Sequence, residues 1–122
     1  MMSRYISRYD LIMLGMLLWA LIDFAGVQAE PPAETHISAV VCNYFSDECS
    51  NALRIVECES QFNQFAFNGF DNGIFQLNEY WQREAMGEER WANRFDLNVN
   101  TSWAYSLWSE FGWRLWACRV VL

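Results

Sequence analysis

Four cysteines, at positions 42, 49, 58 and 118, constrain this 122-residue chain more than any other feature. In a short exported chain an even number of cysteines reads as a disulfide framework, here two bridges with three possible pairings. Export is expected from the N-terminus. Arg4 and Arg8 precede an apolar run from Leu11 to Ile22, and Val27-Gln28-Ala29 supplies the small residues that a signal peptidase reads. The alternative is an uncleaved membrane anchor, because Leu11 to Val27, broken only by Gly15, Asp23 and Gly26, approaches the roughly 20 residues that cross a bilayer. Asp23 and the alanine-containing exit favour cleavage of residues 1–29, with a mature chain from Glu30. Both outcomes place the remainder in the cell envelope, the periplasm or the medium, with no membrane attachment once the signal is removed.

A bond between Cys42 and Cys49 sets a local condition. On one continuous helix they would stand roughly 10 Å apart, whereas a disulfide needs Cα atoms within about 7 Å. The chain must therefore turn between them, and Ser46-Asp47 can supply the turn.

A chain this short holds one core and one domain. Its net charge is −7, and its eight cations are all arginine, so no basic face for nucleic acid is visible. His36, the only histidine, precedes the first expected helix and reads as a surface residue, with no nucleophilic serine motif to serve. No zinc-ligand spacing occurs, and neither a metal nor another cofactor is expected.

The stretch 30–36, with Pro31-Pro32, reads as an extended linker, leaving residues 37–122 for the globule. Ile37, Val40, Val41, Tyr44 and Phe45 recur at helical spacing up to Ser46-Asp47-Glu48. Ser50 is a candidate N-cap for a second helix, whose apolar positions Ala52, Leu53, Ile55 and Val56 form two adjoining stripes. Glu59 follows Ile55 by one helical turn and so shares a face with core residues. Between Gln61 and Gly73 the pairs Asn68-Gly69 and Asn72-Gly73 mark tight turns, which predict a short hairpin or irregular β lobe. A helix is expected over Glu79 to Met86, stopped by Gly87, and a longer one from Asn100 to Phe111, ended by Gly112, with Trp103, Leu107 and Trp108 facing inwards. The fold class expected is mainly α, with a small β element.

Two segments carry a resemblance. Val56-Glu57-Cys58-Glu59-Ser60-Gln61-Phe62-Asn63 is followed by Asp71-Asn72-Gly73-Ile74-Phe75-Gln76-Leu77-Asn78. A Glu-Ser pair preceding a Gly-aliphatic-x-Gln segment by this distance resembles the lysozyme-like superfamily, in particular lytic transglycosylases and resuscitation-promoting factors. Asp96-Leu97-Asn98-Val99-Asn100, Ala104 and the Gly112 to Cys118 ending are similar to that family's C-terminal block. Together these blocks cover most of residues 50–118.

The resemblance implies a small lysozyme-like domain with two disulfides, the second joining Cys58 to Cys118. It implies a peptidoglycan lytic transglycosylase that cleaves the β-1,4 bond between N-acetylmuramic acid and N-acetylglucosamine, acting as a monomer on glycan strands. Glu59 becomes the catalytic acid, since the family motif places that glutamate directly before serine. Glu57 lies two positions earlier, about 200° around a helix, and reads as surface charge. Ser60 either orients the Glu59 carboxyl or caps the helix end. Gln76, Gly73 and Phe75 match the sugar-binding segment, and Asn68 and Asn100 match asparagines that line the family's cleft. Trp81 and Trp113 are the tryptophans expected to be exposed as platforms for sugar rings. Asp71 occupies the position of an aspartate that is catalytic in animal-type lysozymes, which opens a hydrolytic muramidase as the alternative; a turn residue is its simpler reading. A third alternative is a catalytically silent wall-binding or inhibitory module of the same fold.

Overall fold

The computed structural model describes residues 32–122. The signal or anchor expected over residues 1–29 lies outside the described residues, as does the start of the linker. Helix α1 spans Ala33–Phe45, so the stretch 33–36, expected as linker, is instead its first turn, with His36 exposed on it. Pro32 explains the early start. Its φ of −47° suits a helix entrance, and its carbonyl accepts the N–H groups of Thr35 and His36 at 2.8 and 3.2 Å. Ile37, Val41 and Phe45 form the buried stripe of α1.

A 3₁₀ turn at Ser46–Glu48, with Ser46 at φ 46°, folds the chain back as the Cys42–Cys49 bond requires; the two Cα atoms lie 4.6 Å apart. Helix α2 follows over Cys49–Ser60. Ser50 does not cap it: the 3₁₀ turn runs directly into the helix, and the Cys49 N–H is already taken by the Ser46 carbonyl. Ala52, Ile55 and Val56 bury completely, and α2 ends where Gln61 and Phe62 both adopt positive φ.

The β element is a two-stranded antiparallel ladder, β1 (Asp71–Asn72) with β2 (Leu77–Asn78), in the register Asp71 to Asn78 and Asn72 to Leu77. An isolated bridge adds Phe67 opposite Asn72. Helix α3 (Glu79–Met86) begins at Asn78, whose side chain accepts the Tyr80 N–H, and stops at Gly87, φ 81°. A short helix that periodicity did not reveal, α4 (Glu88–Ala92), buries Trp91. Helix α5 spans Leu97–Phe111 and starts ahead of the expected Asn100, because the Asp96 carboxylate accepts the Asn98 and Val99 N–H groups and caps it there. Trp103, Leu107 and Trp108 lie half-buried at the edge of the core, while Leu97, Asn100, Thr101 and Ala104 make the buried face.

The core joins these helices through aromatic contacts. Phe45 stacks on Phe75 and Trp113, with ring centroids 5.4 and 5.3 Å away, and Trp116 meets Phe75 edge-on. The C-terminal 3₁₀ turns, Gly112–Leu115 and Ala117–Val121, return the chain to α2, where Cys118 bonds Cys58 with Cα atoms 5.9 Å apart. The fold is thus mainly helical with a small antiparallel sheet and two disulfides. Among the described residues no helix is long and apolar enough to cross a membrane.

Candidate active site

Glu59 occupies the last turn of α2, on the side where Ile55 and Val56 enter the core, and is half-buried. Its Oε1 accepts the backbone N–H of Cys118 at 3.1 Å. The Cys58–Cys118 bridge is therefore also a positioning device: it brings the Cys118 N–H to the carboxyl next in sequence to Cys58. Burial pushes the Glu59 carboxyl above the ordinary glutamate range; the Cys118 hydrogen bond opposes this and the negative charge of Asp71 adds to it. Glu57 points to solvent, as its position on the helix demands.

Asp71 sits on β1 with both oxygens engaged. Asn68 Nδ2 donates to Oδ2 and Asn78 Nδ2 donates to Oδ1, each at 2.9 Å. Asn68 in turn accepts the Phe70 and Asp71 N–H groups at 3.0 and 2.8 Å, an Asx turn that gives the Asn68-Gly69 pair its shape. Asn68 is thus exposed and supports Asp71.

Both acids line one cleft of about 770 Å³. Gln76, Asn78 and Gln82 supply its uncharged polar lining, and Trp81, Trp103, Leu107, Phe111 and Trp116 much of its apolar lining. Gln76 has two roles. It lines the cleft, and its Nε2 donates to the Ala66 and Gly73 carbonyls at 3.2 and 2.8 Å, pinning a turn in which it holds φ 49°. Trp81 is 70% exposed, lines the cleft, and makes an edge contact with Tyr80 at 4.6 Å.

Several expected contacts serve support instead. Ser60 donates its hydroxyl hydrogen to the Val56 carbonyl one turn back at 3.0 Å, so that hydrogen is not directed at Glu59. Phe75 is fully buried between Phe45 and Trp116 and is core. Asn100 is fully buried, and its side chain ties the lobe to α5: Oδ1 accepts the Phe75 N–H at 3.1 Å, and Nδ2 donates to the Asn72 and Arg94 carbonyls at 3.0 and 2.8 Å. Gly73 is buried as well, at φ 78°, and a Cβ there would stand 2.9 Å from Asn100 Cγ, so glycine is required by the approach of Asn100. Trp113 stacks on Phe45 and donates its indole N–H to Glu48 at 3.2 Å, away from the cleft.

Among the lining residues that sequence reasoning missed are Trp103, Trp116, Leu107, Asn78, Gln82, Glu110 and Phe111. Trp103, Leu107 and Glu110 follow one another at helical spacing on α5 and so share a face. Trp103 is held by its indole N–H, which donates to Gln82 Oε1 at 2.9 Å. The arrangement combines a carboxyl biased towards its protonated form, a nearby carboxylate with fixed orientation, and flat aromatic walls. Such a set can protonate a leaving oxygen beside a stacked ring. Comparison of the chain with protein-family models, curated proteins and solved structures returns no match in any of the three.

Proposed function

We propose that this chain is a lysozyme-like domain that cleaves the β-1,4 bond between N-acetylmuramic acid and N-acetylglucosamine in peptidoglycan, with Glu59 as proton donor. The observation that carries the reading is Glu59 itself, a half-buried carboxyl held above its ordinary range on the wall of a cleft with aromatic sides. Cleavage of a glycosidic bond is helped by an acid that holds its proton more tightly than an ordinary carboxyl, and burial moves Glu59 in that direction. The order of the Glu-Ser, Gly-Ile-Phe-Gln and Gly-Trp blocks supports peptidoglycan as the substrate, and the two disulfides fit an oxidising, extracytoplasmic compartment.

In lytic transglycosylation Glu59 first protonates the leaving glycosidic oxygen. It then takes the proton from the muramyl hydroxyl that attacks the anomeric carbon, leaving an anhydro-sugar end. A second reading, hydrolysis, is favoured by one observation: Asp71 lines the same cleft and its charge acts on Glu59. Two carboxyl groups in unlike surroundings divide acid and nucleophile or base roles in glycosidases. Purified peptidoglycan tests both readings. The wild-type chain should release soluble fragments, and Glu59→Gln should abolish release with its circular dichroism unchanged; an active Glu59→Gln would sink the assignment. Mass analysis separates the readings, because anhydro products are lighter than hydrolytic ones by one water.

A further inference from the structure

The charge pattern of the cleft exceeds what glycosidic cleavage requires. Glu110, near the end of α5, lines the same space as Glu59 and Asp71, and no Arg, Lys or His is among the described residues that line it. Two arginines do touch its aromatic walls. Arg90 lies 4.8 Å from the Trp103 ring centroid and donates to the Met86 carbonyl at 2.6 Å, and Arg114 lies 5.4 Å from that of Phe111. Neither guanidinium lines the cleft. The ion pairs among the described residues are made by Arg83 with Glu79 and Glu88, so no arginine is paired with Asp71 or Glu110. A group entering this cleft meets carboxyl groups, amides and aromatic faces, with no cationic side chain among the lining residues.

Muramic acid brings a charge question into such a site. Its lactyl carboxyl is a neutral amide wherever a stem peptide is attached and a free carboxylate wherever the peptide has been removed. The stem's own carboxylates lie several bonds farther from the sugar ring. A free lactyl carboxylate entering a cleft of about 770 Å³ lined by Asp71 and by the exposed Glu110 would meet like charges, which repel over a Debye length of about 8 Å at physiological ionic strength. Like-charge juxtaposition is a common means of rejecting a ligand that otherwise fits. On the basis of the peptidoglycan reading, we propose that the cleft selects glycan whose lactyl carboxyls are capped as amides and rejects free-carboxylate strands, with Glu110 acting beside Asp71 to enforce the choice.

The test compares one batch of glycan strands in three forms: peptide-bearing, stripped by an amidase, and stripped then capped as methylamides with methylamine and a carbodiimide. The methylamide form separates charge from peptide contacts. The stripped form should show kcat/KM at least about tenfold below the methylamide form, a difference of about 1.4 kcal/mol. Glu110→Gln should narrow that ratio, which a loss of folded protein, acting equally on both substrates, would not do. Equal rates on the stripped and methylamide forms, or a preference for the stripped one, would overturn the selectivity and leave the role of Glu59 standing. Cleavage of the peptide-bearing form alone would assign the preference to peptide contacts and overturn it too. If wild type cleaves none of the three, the functional reading falls and this proposal falls with it.

Discussion

The helix that carries Glu59 and the lobe that carries Asp71 are held by different forces. Helix α2 is fixed by apolar burial, with Ala52, Ile55 and Val56 fully enclosed and a disulfide at Cys58. The lobe from Gln61 to Asn78 places Ile74, Phe75 and Leu77 in the core, yet its outer part exposes Phe65, Phe67 and Phe70. Its shape rests on side-chain amides: Asn68 and Asn78 on Asp71, Gln76 on its own turn, and Asn100 on the backbone of Asn72 and Phe75. Arg94 adds a bond from its Nε to Asn72 Oδ1 at 2.8 Å. Apolar burial is non-directional. Hydrogen bonds fix direction, and a buried polar group left unpaired is costly. Both regions thus contribute to the core, while the orientation of the Asp71 carboxylate depends on the amides of the lobe.

Variants on the two sides should separate these roles. Phe45→Ala removes the ring on which Phe75 and Trp113 stack, and should lower global stability by about 3–5 kcal/mol in urea unfolding, across every probe together. Asn100→Ala leaves the Phe75 N–H and two carbonyls without their partner and should cost about 3 kcal/mol. Unlike Phe45→Ala, it should speed hydrogen exchange at the Phe75 amide ahead of exchange in α1 and α2, and activity should fall by more than global stability explains. Uniform exchange across the domain would refute the division between the two walls.

Asp71→Asn sharpens the comparison further. For a transglycosylase the rate on peptidoglycan should change by less than about tenfold, whereas a loss on the order of a hundredfold or more would mark the hydrolytic mechanism. Under either mechanism, removing the negative charge lets the Glu59 carboxyl fall towards its ordinary range, so the alkaline limb of the rate profile should move to lower pH.

The smallest effect concerns stability. The folded state holds the Glu59 proton more tightly than the unfolded chain, so this group's contribution is fully present at acid pH and is lost as pH rises through its raised folded value. Glu59→Gln should therefore be the more stable protein at neutral pH, with the advantage vanishing towards acid in thermal unfolding. An advantage that instead grew on acidification would contradict the burial of Glu59.

Much of the helical wall was legible in the sequence. The apolar spacing in α1 and α2 and the stops at Gly87 and Gly112 follow from local rules, and a seven-residue separation of two bonded cysteines demanded the turn at Ser46. Helix α4 escaped because Glu88–Ala92 is too short for a period to register. The start of α5 was placed at Asn100, three residues late, because Asp96 was not weighed as a cap, although its carboxylate caps the helix at Leu97. In the lobe, residue types were legible and their direction was not. Asn100 and Gly73 belong together through a buried contact across the fold, which no local pattern encodes. The same limit exchanged Trp113 for Trp103: both rings are half-buried, and only the packing of Trp113 on Phe45 decides that Trp103 is the one that lines the cleft.

The central claim is that Glu59 donates the proton and that its surroundings hold it ready to do so. The most direct measurement follows the Glu59 carboxyl by carbon NMR across pH and overlays its titration on the pH profile of kcat/KM for purified peptidoglycan. The account predicts a Glu59 titration displaced above the ordinary glutamate range, coinciding with the alkaline limb of activity. A Glu59 that titrates in the ordinary range, or an alkaline limb that persists unchanged in Glu59→Gln, would contradict it.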